Sequence, residues 1–212
     1  MLAEIKVGRQ SLSDGAQAPA SGTRDGSQAV ANTGGLYAEA VRRGGVYAGA
    51  SQSGVTSQAG LSGTTPTLTL YNPAGSPVNL ALWFAGAVYS VAFATAGAIW
   101  LGLHQTSPAA KAVSALGTVL TTARNLLAGP RLVNQGYGQL LLACTATAPV
   151  GIALLGSALT GAITTLPTGA VVGRWFDGSI ILEPDTAVSI QTGIASGASG
   201  QFCEFIWEEV NR

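Results

Sequence analysis

Few side chains in this sequence could carry out nucleophilic or acid–base chemistry. The 212 residues include one histidine, His104, and two cysteines, Cys144 and Cys203. Catalytic triads and zinc sites need several such groups at defined spacings, and none occurs around these three residues. We therefore expect a structural histidine and two buried thiols, with a long-range disulfide as the alternative for the cysteines.

The acidic side chains of the C-terminal third are the next candidates, because calcium is bound by such oxygens. Their order matches no calcium-binding loop, so we expect solvated or inter-subunit charges. Glycine is abundant, at 29 residues, but no phosphate-binding glycine motif joins a strand to a helix. The sequence thus predicts a non-enzymatic protein without metal or cofactor. The acidic residues are Asp177, Glu183, Asp185, Glu204, Glu208 and Glu209.

The four tryptophans are the remaining residues with a specific chemical potential. We interpret them as core or interface anchors, since an indole combines a large apolar surface with one hydrogen-bond donor. A carbohydrate-binding platform is the alternative. The four are Trp83, Trp100, Trp175 and Trp207.

Charge is distributed very unevenly along the chain. Residues 44–110 and residues 132–173 contain no Asp, Glu, Lys or Arg, although the chain has ten basic and ten acidic side chains in all. No cluster of basic residues forms a phosphate-binding surface, so we expect no nucleic-acid partner. Such a chain either crosses a membrane or belongs to an assembly that covers much of its surface.

The longest apolar run, Val78–Leu103, has the length of a membrane-spanning helix. It is rich in small residues, however, and no Lys or Arg flanks it closely. Its first part alternates, with Val78, Leu80, Leu82 and Phe84 on one face, which is typical of a strand. We therefore expect strands and no membrane partner, and a small membrane protein such as a lysis pore is one alternative.

Turn-forming residues divide the apolar segments into strand-length pieces. Thr67–Tyr71 is expected to form a hairpin with the strand beginning at Val78. Asp177-Gly178 is expected to form a second turn, between residues 174–176 and 179–182. Two further strands are expected at residues 186–192 and 201–210. In the first, Val188 and Ile190 share one face and Ala187, Ser189 and Gln191 the other. In the second, Cys203, Phe205 and Trp207 share one face and Glu204 and Glu208 the other. This spacing predicts an all-β domain at residues 61–212, a β-sandwich or jelly roll.

The first 60 residues differ from the rest. They are rich in Gly, Ala, Ser and Gln, and they hold too few large apolar side chains to fold alone. A short helix is expected near residues 36–43, ended by Gly44 and Gly45. Residues 1–60 are thus predicted to be an extended arm.

Several blocks of the sequence resemble a family of virion proteins from tailed bacteriophages. They are EAVRRGGVYA at 39–48, SQAGLSGTTP at 57–66, LTLYNP at 68–73, EPDTAVSIQT at 183–192 and FIWEEV at 205–210. The resemblance implies a capsid decoration, or cement, protein that binds across neighbouring major capsid protein subunits as a homotrimer. It also implies a place on the capsid exterior after assembly in the host cytoplasm, and no small-molecule substrate.

The arm is then expected to contact the capsid or neighbouring subunits. The nearest alternative is another virion position, in the tail, baseplate or a head fibre. A carbohydrate-binding adhesion module is a further alternative. The expected arm contacts are Leu36, Tyr37, Arg42, Arg43 and Tyr47.

Overall fold

Antiparallel strands make up nearly all the regular structure of the described residues. The computed structural model describes residues 38–56, 58–89, 97–107, 110–121, 123–127, 136–158, 171–195 and 200–212, of which residues 40–212 belong to one compact unit. Its elements are α1 (Ala38–Arg42), β1 (Val46–Ala50), β2 (Leu68–Asn72), β3 (Val78–Tyr89), β4 (Gly97–His104), β5 (Val113–Ala115), β6 (Thr118–Leu120), β7 (Arg124–Asn125), β8 (Gln139–Leu142), β9 (Thr145–Ala146), β10 (Val150–Ala158), β11 (Val171–Leu182), β12 (Thr186–Thr192) and β13 (Gln201–Asn211).

The eight principal strands pair in nested order, the first with the last. β1 pairs with β13, β2 with β12, β3 with β11 and β4 with β10, all antiparallel. Successive strands of this folded ribbon alternate between a five-stranded sheet, β11-β3-β13-β1-β7, and a six-stranded sheet, β10-β4-β12-β2-β8-β6. This is the arrangement of a jelly roll, so the predicted fold class is confirmed.

The core lies between the two sheets. Alternation places Cys203, Phe205 and Trp207 of β13 inward, as predicted, while Val188 and Ile190 of β12 face them from the other sheet. Full burial of one large apolar side chain stabilises the fold by roughly 1.5–3 kcal/mol. The largest fully buried side chains come from both sheets: Trp207, Phe205, Leu68, Leu70, Leu80, Leu82, Ile99, Leu101, Leu140, Leu141, Leu182 and Ile190.

A small two-stranded ribbon, made of β5 and β9, belongs to the segment that follows β4 and precedes β10 in the sequence. Its residue Val113 packs into a second buried cluster with Tyr71, Leu141, Cys144 and Ala187. Those four side chains come from outside the main core, so the ribbon contributes to covering part of the six-stranded sheet's outer surface. Both Cys144 and Cys203 are buried free thiols, and the disulfide alternative is wrong.

The predicted hairpin between β2 and β3 is wrong, because the two strands lie in different sheets. The turn-forming segment after β2 carries the chain across the sandwich instead of folding it back. Asn72 fixes this crossing, since its amide nitrogen donates to the carbonyls of Val78 and Leu182, each at 2.9 Å.

The predicted turn at Asp177-Gly178 does not reverse the chain either. Both halves of β11 pair with β3, and the register shifts between Trp175 and Ile180. Asp177 and Gly178 adopt positive φ angles of 50° and 77° inside this bulge. Residues 176–179 therefore stand opposite the single residue Trp83, which is buried.

The predicted arm is too long at its C-terminal end. Residues 46–50 form β1 and pair with β13 over their whole length. Val55 forms a bridge with Gln201, and Gly60 forms one with Thr192. Pairing with distant strands, which local composition cannot reveal, makes these residues part of the sandwich.

Candidate functional site

The predicted contact residues fall into three groups. Leu36 and Tyr37 lie outside the described residues. Arg42 and Arg43 are exposed at the C-terminal end of α1. Tyr47 is buried in β1, so the structure brings only the two arginines together on the surface.

Two glycines hold the arginine pair in place. Gly44 has a φ of 72°, and its N–H donates to the carbonyl of Val41 at 2.9 Å. The N–H of Gly45 donates to the carbonyl of Ala40 at 3.4 Å. Together these bonds form the Schellman motif that ends many helices, so the predicted helix stop is confirmed. The carbonyl of Gly45 accepts the N–H of Glu209 at 2.8 Å, which ties this junction to β13.

Tyr47 is a packing residue of the sandwich and not an exposed contact, which corrects the expectation. It stands opposite Trp207 in the β1–β13 pair, and both side chains face inward. Their rings stack with centroids 5.9 Å apart. Burial raises the pKa of the Tyr47 phenol.

Glu209 closes the same end of the sandwich. Its carboxylate accepts the backbone N–H groups of Tyr137 and Gly138, the second at 2.9 Å. Burial raises the pKa of Glu209, and these two hydrogen bonds act in the opposite direction. Beside it, residues 73–77 and residues 136, 137 and 139 line an open cleft of ≈ 320 Å³. We find no arrangement of reactive groups in this cleft.

His104 is fully buried at the end of β4. Its Nδ1 lies 2.7 Å from the carbonyl of Thr147, which can only accept, so Nδ1 carries the proton. Its Nε2 lies 2.6 Å from Ser189 Oγ, which also accepts the side-chain amide of Gln191 at 2.6 Å. The Gln191 side-chain amide also bonds the backbone of Ser62. Its nitrogen donates to the Ser62 carbonyl and its oxygen accepts the Ser62 N–H, each at 3.1 Å. The imidazole thus connects two surface segments to the sheet.

The six-stranded sheet exposes apolar side chains on its outer surface around β4 and β10. Leu154 stands opposite Trp100 and is 52% exposed, and Ile152 in the neighbouring register shift is 40% exposed. Leu61 is 45% exposed and lies beside Trp100. Both side chains surround Gly151, because a methyl group built on that glycine would be 3.5 Å from Leu61 and 3.2 Å from Trp100. We call Leu61, Trp100, Ile152 and Leu154 the β4 face.

The five-stranded sheet exposes a second apolar row on the opposite side of the sandwich. Trp175, Phe84, Ile206 and Ala48 stand side by side on four adjacent strands, and Trp175 is 52% exposed. The rings of Phe84 and Trp175 lie 5.0 Å apart, with their planes tilted by 50°. Phe84 was expected on the same face as Leu80 and Leu82, and this prediction is wrong. The register shift between Ile206 and Trp207 leaves Trp83 as an extra residue in β3, so Phe84 faces outward. We call these four residues the β11 face.

Two glycines make room for the Phe84 ring on the β11 face. A methyl group built on Gly86 would lie 2.6 Å from the Phe84 ring, and one built on Gly173 would lie 2.5 Å from it. The ring can therefore rest on the sheet only because both residues lack a side chain. Sequence reasoning missed both faces; a signal for the first is the alternation of Val150, Ile152 and Leu154 within a charge-free stretch.

Among the described residues, no three His, Cys, Asp or Glu side chains are grouped as a metal site, and no helix is long and apolar enough to cross a membrane. No protein-family model, curated protein or solved structure matches this chain.

Proposed function

We propose that this chain is a non-enzymatic structural protein of a tailed-phage virion, which decorates the capsid as a homotrimer. It binds across neighbouring major capsid protein subunits on the outside of the particle, after assembly in the host cytoplasm. Neither a nucleic acid, a membrane, a cofactor nor a small-molecule substrate takes part in this function.

The observation that carries this proposal is the pair of exposed apolar faces on a jelly-roll body. Contiguous apolar patches on a soluble protein mark surfaces that another molecule covers. Leu154 and Trp175, each 52% exposed, are the most exposed residues of the two faces. A decoration protein needs such contact surfaces, whereas an enzyme needs a pocket with converging reactive groups.

The arginine pair at the end of α1 gives the proposal a second support. Arg42 and Arg43 are exposed immediately before the Gly44–Gly45 junction, which is hydrogen-bonded to α1 and to β13. A segment preceding them would start from a fixed point on the sandwich and could reach a neighbouring subunit.

The test mixes the purified protein with undecorated capsids and locates it by cryo-electron microscopy. We expect full-length protein to bind at fixed lattice positions. Deleting residues 1–37 leaves the junction intact and should abolish or strongly weaken binding while the far-ultraviolet circular dichroism spectrum of the sandwich is retained. The double variant Arg42→Glu, Arg43→Glu should bind weakly, and exposed Lys111→Glu serves as the control charge reversal.

Density on the tail, baseplate or a head fibre would replace the capsid assignment with the alternative virion position. Absence of binding to any part of the particle would overturn the proposal.

A carbohydrate-binding module is the second candidate, favoured by the exposed aromatic pair Trp175 and Phe84. Sugar rings pack on such surfaces, because their C–H groups contact the aromatic face. A glycan array tests it, with Trp175→Ala expected to lose any signal and Trp100→Ala, on the opposite side of the sandwich, expected to keep it. An array without any bound glycan would remove this candidate.

A further inference from the structure

A chain of buried hydrogen bonds lies on the outer side of the six-stranded sheet. Its three side chains are His104 of β4 and Ser189 and Gln191 of β12, all buried. It ends on the backbone of Ser62 at one side and of Thr147 at the other. We call the segments that carry these two end residues, 61–65 and 145–149, the cover.

The two ends of the chain set the direction of every proton in it. The Ser62 N–H donates to the Gln191 side-chain oxygen, so the Gln191 nitrogen donates to the Ser62 carbonyl and to Ser189 Oγ. The Thr147 carbonyl accepts from Nδ1 of His104, which leaves Nε2 with a lone pair. The Ser189 hydroxyl therefore donates to Nε2. The chain is complete only while the imidazole is neutral.

A second proton on the imidazole breaks this order. It would sit on Nε2 of His104 and point at the Ser189 hydroxyl, which already accepts from Gln191. The hydroxyl would have to turn away, and its own hydrogen would lose its acceptor in the chain. A positive charge would also stand at a fully buried position. Both effects favour a state in which the imidazole reaches water.

The surroundings of His104 supply no opposite charge along the backbone segments that enclose it. Residues 58–64, 97–104, 143–158 and 186–192 contain no Asp, Glu, Lys or Arg. The pKa of His104 is lowered by burial and raised by its hydrogen bond to Thr147, and no charged side chain of the described residues contributes to the shift. The ionisable groups that border these segments are Tyr71 on β2, Lys111 next to the ribbon, Cys144 on the cover's edge, and Glu183 and Asp185 before β12.

The chain of hydrogen bonds also adjoins the β4 face. Leu61 immediately precedes Ser62, and Trp100 stands opposite Gln191 in the β4–β12 pair. Gly102 makes room for the network on the same strand, since a methyl group built on it would lie 2.9 Å from Cγ of Gln191. The position of Leu61 beside Trp100 therefore depends on the bonds that hold Ser62.

We propose that His104 is an acid-operated latch, whose protonation frees Ser62 and Thr147 from the sheet and displaces Leu61 from Trp100. Acid would then rearrange the β4 face while the sandwich beneath it stays folded. This inference goes beyond the proposed function and holds whichever molecule covers the β4 face.

Bonds around the cover keep its opening local. Its two segments are joined to each other, since the N–H of Ala146 donates to the Gly63 carbonyl at 2.7 Å. The chain just before the cover is bonded to β12, because Gly60 forms a bridge with Thr192. The cover can thus lift as one unit from an attachment at its edge.

The first test observes the imidazole itself. The chain has a single histidine, so the ring signals of tag-free protein in long-range ¹H–¹⁵N spectra need no assignment. We expect the Nδ1–H tautomer at about pH 7.5 and a titration midpoint below the ordinary value of 6.5. The Nε2–H tautomer at neutral pH, or a midpoint at 6.5 or above, would overturn the proposal.

Amide hydrogen exchange, expressed as protection factors, follows the cover. Opening that exposes the imidazole becomes about tenfold more favourable per pH unit below 6.5, down to the folded pKa. Protection of the Ser62 and Thr147 N–H groups should fall with this slope. The N–H of Ser51, bonded to the Cys203 carbonyl at 2.9 Å, should stay better protected at each pH. Equal protection of all three amides would mean that the cover opens only with the whole domain, and the latch would be excluded.

Two variants separate the latch from other acid effects. His104→Gln cannot take up a proton, so the pH slope of Ser62 protection should vanish, and a slope retained in the folded variant would reject the proposal. Gln191→Leu cuts the chain without touching the imidazole and should lower Ser62 protection already at about pH 7.5. Gln105→Leu, at the exposed neighbour of His104, is the control and should not change it. Unchanged Ser62 protection in folded Gln191→Leu would show that the chain does not hold the cover. Neither measurement uses capsids, so its outcome is independent of the proposed function.

Discussion

Tyr47 on the first strand of the jelly roll stacks on Trp207 on the last, with ring centroids 5.9 Å apart and ring planes 19° apart. This contact joins the two ends of the folded ribbon. Because both rings are buried, they stabilise the sandwich by their apolar area and by their stacking.

Tyr47→Ala should lower the free energy of unfolding by about 3 kcal/mol, the usual size of an aromatic-to-alanine change in a core. Urea denaturation followed by tryptophan fluorescence measures it. Tyr137→Ala is the control, because Tyr137 is 53% exposed, and it should change stability by less than about 0.5 kcal/mol. If Tyr47→Ala instead kept full stability and lost capsid binding, Tyr47 would be the contact residue first expected.

The buried imidazole of His104 should make stability fall in acid. Burial lowers the pKa of His104 below its ordinary value of 6.5. Between the folded pKa and 6.5 the unfolded chain binds more protons than the folded chain, so the free energy of unfolding decreases as the pH falls through this window. We expect a lower urea midpoint at about pH 5 than at about pH 7.5. His104→Gln should remove this part of the pH dependence, and an unchanged slope in that variant would contradict the prediction.

The carboxyl group of Glu209 should make stability fall as the pH rises, opposite to the effect of His104. Burial raises its pKa above the ordinary 4.5, so its contribution to stability is complete below that value and is lost as the pH rises through the folded pKa. Glu209→Gln removes the charge, while the amide oxygen can still accept from Tyr137 and Gly138. The variant should therefore gain stability relative to the parent as the pH rises to neutrality. Urea midpoints across this range measure it, and a variant that loses stability towards neutral pH would refute the idea.

The His104 effect lies below pH 6.5 and the Glu209 effect lies above pH 4.5, and the two change stability in opposite directions. The pH dependence of His104 is therefore best measured in the Glu209→Gln background. Cooperative unfolding in each variant is the condition for comparing the midpoints.

Gly44→Ala should destabilise the protein by about 1 kcal/mol, the cost of a left-handed conformation for a residue with a Cβ. A steric clash is not the cause of this destabilisation, since the nearest atom to a methyl group added at Gly44 is 3.8 Å away. Gly44→Asn should cost less, because asparagine tolerates this conformation. Gly193→Ala is the matched control, with a nearest contact of 3.6 Å and no positive φ. Equal destabilisation by the Gly44 and Gly193 changes, in urea titrations, would argue against the helix-ending role.

The local sequence pattern was sufficient to find several strands and their inward faces. Alternation located β12 at residues 186–192 and β13 from residue 201, and it placed Phe205 and Trp207 on one face, which the structure shows to be the core side. These predictions succeeded because the core side of a strand is set by a period of two along the chain itself.

Pairing could not be predicted in the same way. Turn-forming residues at 72–77 and at Asp177-Gly178 permit a reversal, a crossing between sheets or a bulge, and the choice depends on strands far away in sequence. The buried hydrogen-bond network of Ser189 and Gln191 with His104 was not predicted, for the same reason. Their alternation indicated the outer face of β12, but the segments at Ser62 and Thr147 that cover it come from elsewhere.

The nested pairing also decides when, during translation, each strand can pair and the sandwich can fold completely. Of the four principal strand pairs, β4 with β10 is the first whose two members have both left the ribosome, and β1 must wait for β13, which ends at Asn211. The early, uncharged strands thus emerge long before their partners exist. A nascent chain of this design depends on the shielding of its apolar strands until translation reaches β13, and a chain stopped before that point exposes them to aggregation.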